Sequence, residues 1–348
     1  MKAVEIMMHE DRNVRLTGYL QEVGGEFGPV EKRPAVIVLP GGGYGMCSDR
    51  EADPVALEFA RCGYQAFILR YTVRATEKEL IWPHPIEDYD EAYELIRSHA
   101  DEWHVDMGRI ATCGFSAGGH LAACTATVAQ NRPQAAILVY PAINEDICDM
   151  CAPGLAYPAK EIDLRTPPCF IAAARDDILV NPSNAMAFAG ALNDAGINYE
   201  LHIYSYGNHG FATAAEWLNA GSLSGGMKHW TEDAARFLGE VWGCLKVNGF
   251  TKPEISRCVT GDFESHLSVR CTVLHLEKQG KEVQPILGEA MAAINAMLKE
   301  RNYADAVAEY VKSLYTMRAM LESLGMPAEK IDEIDVALSA IETKFPAK

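Results

Sequence analysis

Between residues 34 and 242, short apolar runs alternate with stretches of helical periodicity. That alternation restricts the chain to βαβ units on a mostly parallel sheet. The runs are 35–39, 66–70, 110–114, 136–140, 169–173 and 200–204, and their unbroken apolar character predicts strands covered on both faces. Segments 53–62, 86–100, 117–129, 183–195 and 231–241 repeat apolar residues at helical spacing, several opening at a Ser, Thr, Asp or Pro, and are expected to be the crossover helices. Upstream, 4–6 and 14–20 read as an antiparallel hairpin at the sheet edge, turning at 10–13.

After Trp242 the pattern changes. Residues 248–252 read as a linker, 267–276 alternate like a strand, and 285–344 are almost wholly helical. Gly325 and Pro327 stop and restart a helix, dividing 303–324 from 328–343 as an αα-hairpin. The expected division is therefore a catalytic domain over 1–245 and a C-terminal module over 246–348, a short strand region followed by helices. In that module Leu287, Met291, Ile294 and Leu298 form one stripe, and Tyr310, Leu314, Met317 and Leu321 a second. Both read as core. A hairpin of roughly 60 residues cannot bury both alone, which predicts a homodimer contact through these helices.

The formal net charge of -17 opposes nucleic acid and anionic membranes as partners, because phosphate binding needs clustered Lys and Arg. The first twelve residues carry Glu5, Glu10 and Asp11 where an export signal needs a basic start and an apolar run. No stretch approaches the roughly 18 apolar residues of a membrane span. A soluble, cytoplasmic protein is expected. The ten cysteines are scattered, several within apolar segments, and read as buried thiols. Cys148 and Cys151 form a lone CxxC with no second pair, which argues against a zinc or redox site.

Gly114-Phe115-Ser116-Ala117-Gly118 directly follows one apolar run and opens a helical stretch. In that context a GxSxG is a nucleophile elbow: a serine on a sharp turn needs neighbours without side chains. A helix N-cap serine in a Gly-rich turn would also explain Ser116, but none of the motifs that follow. Pro40-Gly41-Gly42-Gly43-Tyr44 lies just after the 35–39 strand, where bare backbone N–H groups can meet a developing oxyanion. Gly42 and Gly43, with Ala117 after the serine, are the expected donors. A phosphate loop would need GxxxxGK[ST] or GxGxxG spacing, which is lacking.

An activated serine also needs a base and a residue to orient that base. Asp176-Asp177 follow the 169–173 strand and Asn208-His209-Gly210-Phe211 the 200–204 strand, placing both at carboxyl ends of parallel strands. His209 is the expected base. Either aspartate could orient it; Asp177 is favoured, with Asp176 solvated or capping the following turn. His120, four residues beyond the serine, is assigned a structural role. His202 lies within a strand, and His266 and His275 in the module. No His/Cys/Asp set shows metal-ligand spacing, so no metal and no cofactor are expected.

PGGGY, Ser48-Asp49-Arg50-Glu51, GFSAGGHLAA, Tyr140-Pro141, DDxxV at 176–180 and the HGF of His209 together resemble the bacterial esterase/lipase subfamily of α/β hydrolases that includes acetyl-xylan-esterase-like and feruloyl-esterase-like enzymes. The likeness covers roughly residues 1–242. It implies an α/β-hydrolase fold, a mostly parallel central sheet flanked by helices, here with a mostly helical C-terminal appendage. It also implies ester hydrolysis without a cofactor, and in DDxxV it supports Asp177 as the acid. Pro40 stands where the hormone-sensitive-lipase group has histidine. The substrate class implied is an acetylated sugar or xylo-oligosaccharide. Residues 142–168, where such folds insert a lid, are few, predicting an open site for short-chain esters. The competing activities are a serine peptidase or amidase using the same triad, and a catalytically silent binding protein.

Overall fold

The computed structural model describes residues 1–74 and 81–344. Two compact units result, Met1–Arg257 and Cys258–Lys348. The first is built on eight strands in the order β1-β2-β4-β3-β5-β6-β7-β8. In chain order these are β1 (Lys2–His9), β2 (Val14–Leu20), β3 (Arg33–Leu39), β4 (Gln65–Arg70), β5 (Val105–Phe115), β6 (Ala135–Val139), β7 (Cys169–Ala174) and β8 (Tyr199–Tyr204). Strands β1 and β2 form the expected antiparallel hairpin, and β2 runs antiparallel to β4. All other pairings are parallel.

The helices are α1 (Asp53–Arg61), α2 (His84–Ser98), α3 (Ala117–Thr127), α4 (Glu145–Cys151), α5 (Ser183–Asp194) and α6 (Trp230–Trp242). Strand β3 shows why its sequence is apolar throughout. Ala35, Ile37 and Leu39 join a core with residues of α2 and α3, while Val36 and Val38 join a second core with α1 and α6. Successive side chains point to opposite faces, and both faces are covered. The lid region holds only α4 and a 3-10 turn over Pro158–Lys160.

The first unit extends past the expected boundary at residue 245. Strands β9 (Leu245–Lys246) and β10 (Gly249–Phe250) form a small ribbon, the Arg109 guanidinium lies 3.8 Å from the Phe250 ring centre, and the Asn198 amide donates to the Arg257 carbonyl at 2.9 Å. These contacts hold the segment that reads as a linker.

The second unit contains α7 (Val273–Lys278), α8 (Gln284–Glu300), α9 (Asp305–Leu314), α10 (Met317–Ser323) and α11 (Ala328–Leu338). The expected strand over 267–276 is instead an irregular segment running into α7, whose N-cap Thr272 accepts from the His275 amide. Leu267, Val269, Cys271 and Val273 are all buried, so the period of two is real. It arises from an irregular chain that feeds a helix. The single helix expected over 303–324 breaks at Tyr315, which is extended, and restarts at the Thr316 cap. Met317 and Leu321 consequently reach the core, while Tyr310 and Leu314 stay 63% and 57% exposed. Among the described residues, no helix is long and apolar enough to cross a membrane. Cys113, Cys124, Cys148 and Cys169 are buried thiols outside any disulfide, and burial pushes the Cys148 thiol up to about 12.

Helix α3 approaches β3 closely because of one glycine. A Cβ on Gly118 would lie 2.1 Å from the Leu39 carbonyl oxygen and 2.5 Å from that of Pro40. Two residues later, His120 is buried: its Nε2–H donates to the Ala156 carbonyl at 2.8 Å and its Nδ1 accepts from the Tyr44 hydroxyl at 2.7 Å. A carbonyl can only accept, which fixes the neutral tautomer. Burial lowers this imidazole to about 4.

Gly118→Ala is expected to destabilise the chain. The clash with backbone costs about 1–3 kcal/mol, more than the ~1 kcal/mol gained in helix propensity. Gly190→Ala, in α5 with open space around the added methyl, should stabilise by about 0.5–1 kcal/mol, and urea titration of both variants checks the contrast. His120 generates a pH prediction. Its folded pKa lies below the unfolded value of about 6.5, so its contribution is full above that pH and is lost as pH falls toward 4. The urea midpoint should fall more steeply across that window in wild type than in His120→Gln.

Candidate active site

Ser116 occupies the turn between β5 and α3 at φ 53° and ψ −116°, a region rarely populated by residues with side chains. The surroundings over-determine it: its amide donates to the Val139 carbonyl at 3.0 Å, and its own carbonyl accepts from His120 and Ala142 at 2.9 and 3.1 Å. Gly114 belongs to the same packing, since a Cβ there would lie 1.9 Å from the Gly118 oxygen. The serine is left half-buried.

The expected base and acid meet it. His209 Nε2 lies 3.0 Å from Ser116 Oγ, and His209 Nδ1 lies 2.6 Å from Asp177 Oδ2. The Asp177 side chain is wholly buried and that of His209 15% exposed. Asp177 Oδ1 accepts the Leu179 and Val180 amides, both at 2.9 Å. A carboxylate so held keeps Nδ1–H donating to it and leaves Nε2 free to accept the serine proton. Asp176 does something other than cap its own turn. It reaches across to the histidine loop, where its Oδ1 accepts the Gly207 and Asn208 amides at 2.9 Å.

The glycine loop lies against the serine. A Cβ on Gly41 would stand 3.0 Å from Ser116 Cβ and 2.6 Å from the Phe115 oxygen. Gly42 and Gly43 take φ +130° and +59°, and the Gly42 carbonyl accepts from Gly45 at 2.9 Å. The amides of Gly42, Gly43 and Ala117 have no partner among the described residues, and Ala117 opens a helix whose first N–H groups are unpaired by construction. Such donors can serve a developing oxyanion.

Arg50, Glu51 and Tyr140 belong to the motifs shared with the esterase/lipase subfamily, but their letters alone assign them no role. Glu51 is only 4% exposed; it accepts from the Gly41 amide and the Tyr140 hydroxyl, both at 2.8 Å. Burial raises this carboxyl above its ordinary range. Arg50 donates to the Gly210 and Leu218 carbonyls at 2.8 Å. An acidic residue placed soon after a glycine loop is the available signal, but nothing in the sequence shows that it is buried.

Of the other histidines, both nitrogens of His120 are engaged as described, and His202 bonds Glu200 at 2.6 Å. In the second unit Asp262, Cys271 and His275 bring ligand atoms within 4.8 Å of one another, a cluster that spacing did not reveal. Both Asp262 oxygens accept from Thr272, at 2.6 and 2.7 Å, and burial pushes the Cys271 thiol up to about 11. That arrangement braces the start of α7.

A family model described as BD-FAE matches residues 28–151. MGS-M1, an alpha/beta hydrolase enzyme from a Medee basin deep-sea metagenome library, is 34% identical and superposes with a TM-score of 0.63 over 69% of this chain and 97% of its own. The endo-1,4-beta-xylanase B of Butyrivibrio fibrisolvens is 32% identical over 222 residues, 56% of this chain and 35% of the xylanase. The acetylxylan esterase of Xylanibacter ruminicola is 28% identical over 199 residues, 51% of this chain and 41% of the esterase. This chain thus spans less than half the length of these two curated relatives. The match to MGS-M1 covers nearly the whole of that enzyme, and this chain's mostly parallel sheet with flanking helices is the architecture that the resemblance implies. The chain belongs to the α/β-hydrolase family and, within it, resembles the acetylxylan esterases.

Proposed function

We propose that this protein is a serine esterase that removes short acyl groups, acetyl foremost, from sugars or xylo-oligosaccharides through an acyl-enzyme on Ser116. The observation that carries the reading is the unbroken chain from Asp177 through His209 to Ser116, with contacts of 2.6 and 3.0 Å. Beside it stand the unpartnered amides of Gly42, Gly43 and Ala117.

Ser116 Oγ attacks the ester carbonyl carbon while His209 Nε2 takes its proton. The carbonyl oxygen becomes an oxyanion that the three amides stabilise. Collapse breaks the bond to the alcohol, which leaves with the proton from His209. Water then attacks the acyl carbon while His209 Nε2 takes its proton; collapse breaks the bond to Ser116 Oγ, which recovers that proton from His209, and the acid leaves. Asp177 holds the imidazole tautomer and steadies the imidazolium without taking its proton. The half-buried serine and the modest lid support a short acyl group. The sugar rests on the name of the Xylanibacter relative.

The test follows acetate release from p-nitrophenyl acetate and from an acetylated xylo-oligosaccharide. Wild type should cleave both, Ser116→Ala neither, and Asp177→Asn should lose on the order of 10⁴-fold in kcat, with Asp176→Asn losing far less. Wild-type rates in Ser116→Ala would sink the mechanism. Cleavage of the aryl ester alone would discard the sugar, faster cleavage of p-nitrophenyl palmitate than of the acetate would discard the short acyl group, and preference for aminoacyl-p-nitroanilides would make the protein a peptidase.

A further inference from the structure

We propose that Glu51 is a positioning residue whose single carboxylate locks the oxyanion loop and the histidine loop into one register, an inference that rests on the Ser116 mechanism. Glu51 ends the 3-10 turn Asp49–Glu51. One of its oxygens takes the Gly41 amide, on the loop that abuts Ser116; the other takes the Tyr140 hydroxyl. Tyr140 carries the connection onward. Its hydroxyl oxygen accepts the Ala212 amide at 3.1 Å, and its ring stands edge-on to those of His209 and Phe211, with centres 4.8 and 4.6 Å apart. Arg50, the residue before Glu51, acts on the same loop, since it holds the Gly210 and Leu218 carbonyls. Two consecutive side chains therefore tie down both loops that must meet over the reacting ester.

The chemistry demands a carboxylate at this point. Both partners of Glu51 are donors, and only an acceptor at each end satisfies them. An amide of the same shape presents a donor at one end, so either Gly41 or the Tyr140 hydroxyl loses its acceptor in a buried site. Holding the Gly41 amide also removes it from the donors available to an oxyanion, leaving Gly42 and Gly43.

Charge gives the second consequence. The titratable groups around Glu51 are Arg50, Tyr71, Cys113, Tyr140 and His209. Burial keeps Tyr71, Cys113 and Tyr140 protonated. Arg50 stays charged; the group whose charge changes during turnover is His209, and a negative Glu51 favours its imidazolium. Loss of that charge should disfavour the imidazolium.

The experiment compares wild type, Glu51→Gln and Tyr140→Phe in the full chain. It measures kcat and KM for p-nitrophenyl acetate across the acid limb of the pH profile, the His209 imidazole titration by NMR, and folding by circular dichroism. Glu51→Gln should lose about 10- to 100-fold in kcat with KM within about twofold of wild type, and both its acid limb and its His209 titration should move to lower pH. Tyr140→Phe should lose kcat while its His209 titration stays in place. Wild-type kcat in folded Glu51→Gln, or a loss of kcat with an unmoved His209 titration, would overturn the proposal. Should Glu51→Gln not fold, wild-type kcat in Tyr140→Phe overturns it. Wild type that neither turns over ester nor reacts with a fluorophosphonate removes the Ser116 mechanism itself, and the NMR titration then still decides whether Glu51 is coupled to His209.

Discussion

The site depends on a strained residue that the fold does not allow to relax. Ser116 at φ 53° and ψ −116° sits in backbone geometry that costs about 1–3 kcal/mol for a residue with a side chain. Its amide is tied to Val139 on one side and its carbonyl to His120 and Ala142 on the other. Relaxing the turn would break bonds to β6 and to the segment after it. It would also pull α3 away from β3, which Gly118 lets it approach, and from β5, where Gly114 lets backbone pass against backbone. The two glycines of the motif thus do less for the flexibility of the turn than for its compression. They permit a contact that any side chain would prevent, and that contact presents the hydroxyl.

The parallel sheet supplies the rest by register. Leu39 pairs with Gly114, Phe115 with Val139, and Ala174 with Tyr204, so the chain leaves β3, β5, β6, β7 and β8 at one edge. The glycine loop, Ser116, Tyr140, the aspartate pair and His209 all emerge there. Register alone fixes only the roots of these loops, which are connecting segments with freedom of their own. Cross-links made by Arg50, Glu51 and Asp176 bring that freedom down to hydrogen-bond dimensions. Each uses a charged side chain to hold backbone groups of a neighbouring loop.

What could be read from the sequence followed the physics of each signal. The apolar runs of β3, β6 and β7 identified strands because burial on both faces removes every polar position, whereas β8, half-buried along its length, keeps Glu200 and His202. GxSxG could be placed because it lay between a strand and a helix. Signals failed where one pattern had two causes. Leu267, Val269, Cys271 and Val273 alternate as a strand would, yet they line an irregular segment that enters a helix. The stripe through Tyr310, Leu314, Met317 and Leu321 has helical spacing across a break at Tyr315, because spacing records which residues share a side only while the helix continues. Glu51 was beyond reach for a different reason: a buried carboxylate and a solvated one are the same letter, and its partners come from residues 41 and 140.

The aspartate pair shows how far adjacent positions can diverge once the chain is folded. Asp177 turns inward, is buried, and holds the His209 ring. Asp176 is exposed, and its carboxylate takes the two amides that immediately precede His209 in the chain, those of Gly207 and Asn208. Consecutive residues beyond a strand end therefore grip one loop twice, by its backbone and by its imidazole. If the ring bond to Asp177 were alone, the loop could pivot about it and carry Nε2 away from Ser116. With the backbone pinned as well, rotation about the ring bond is blocked, and the 3.0 Å approach to the serine becomes the position the imidazole occupies before any substrate arrives.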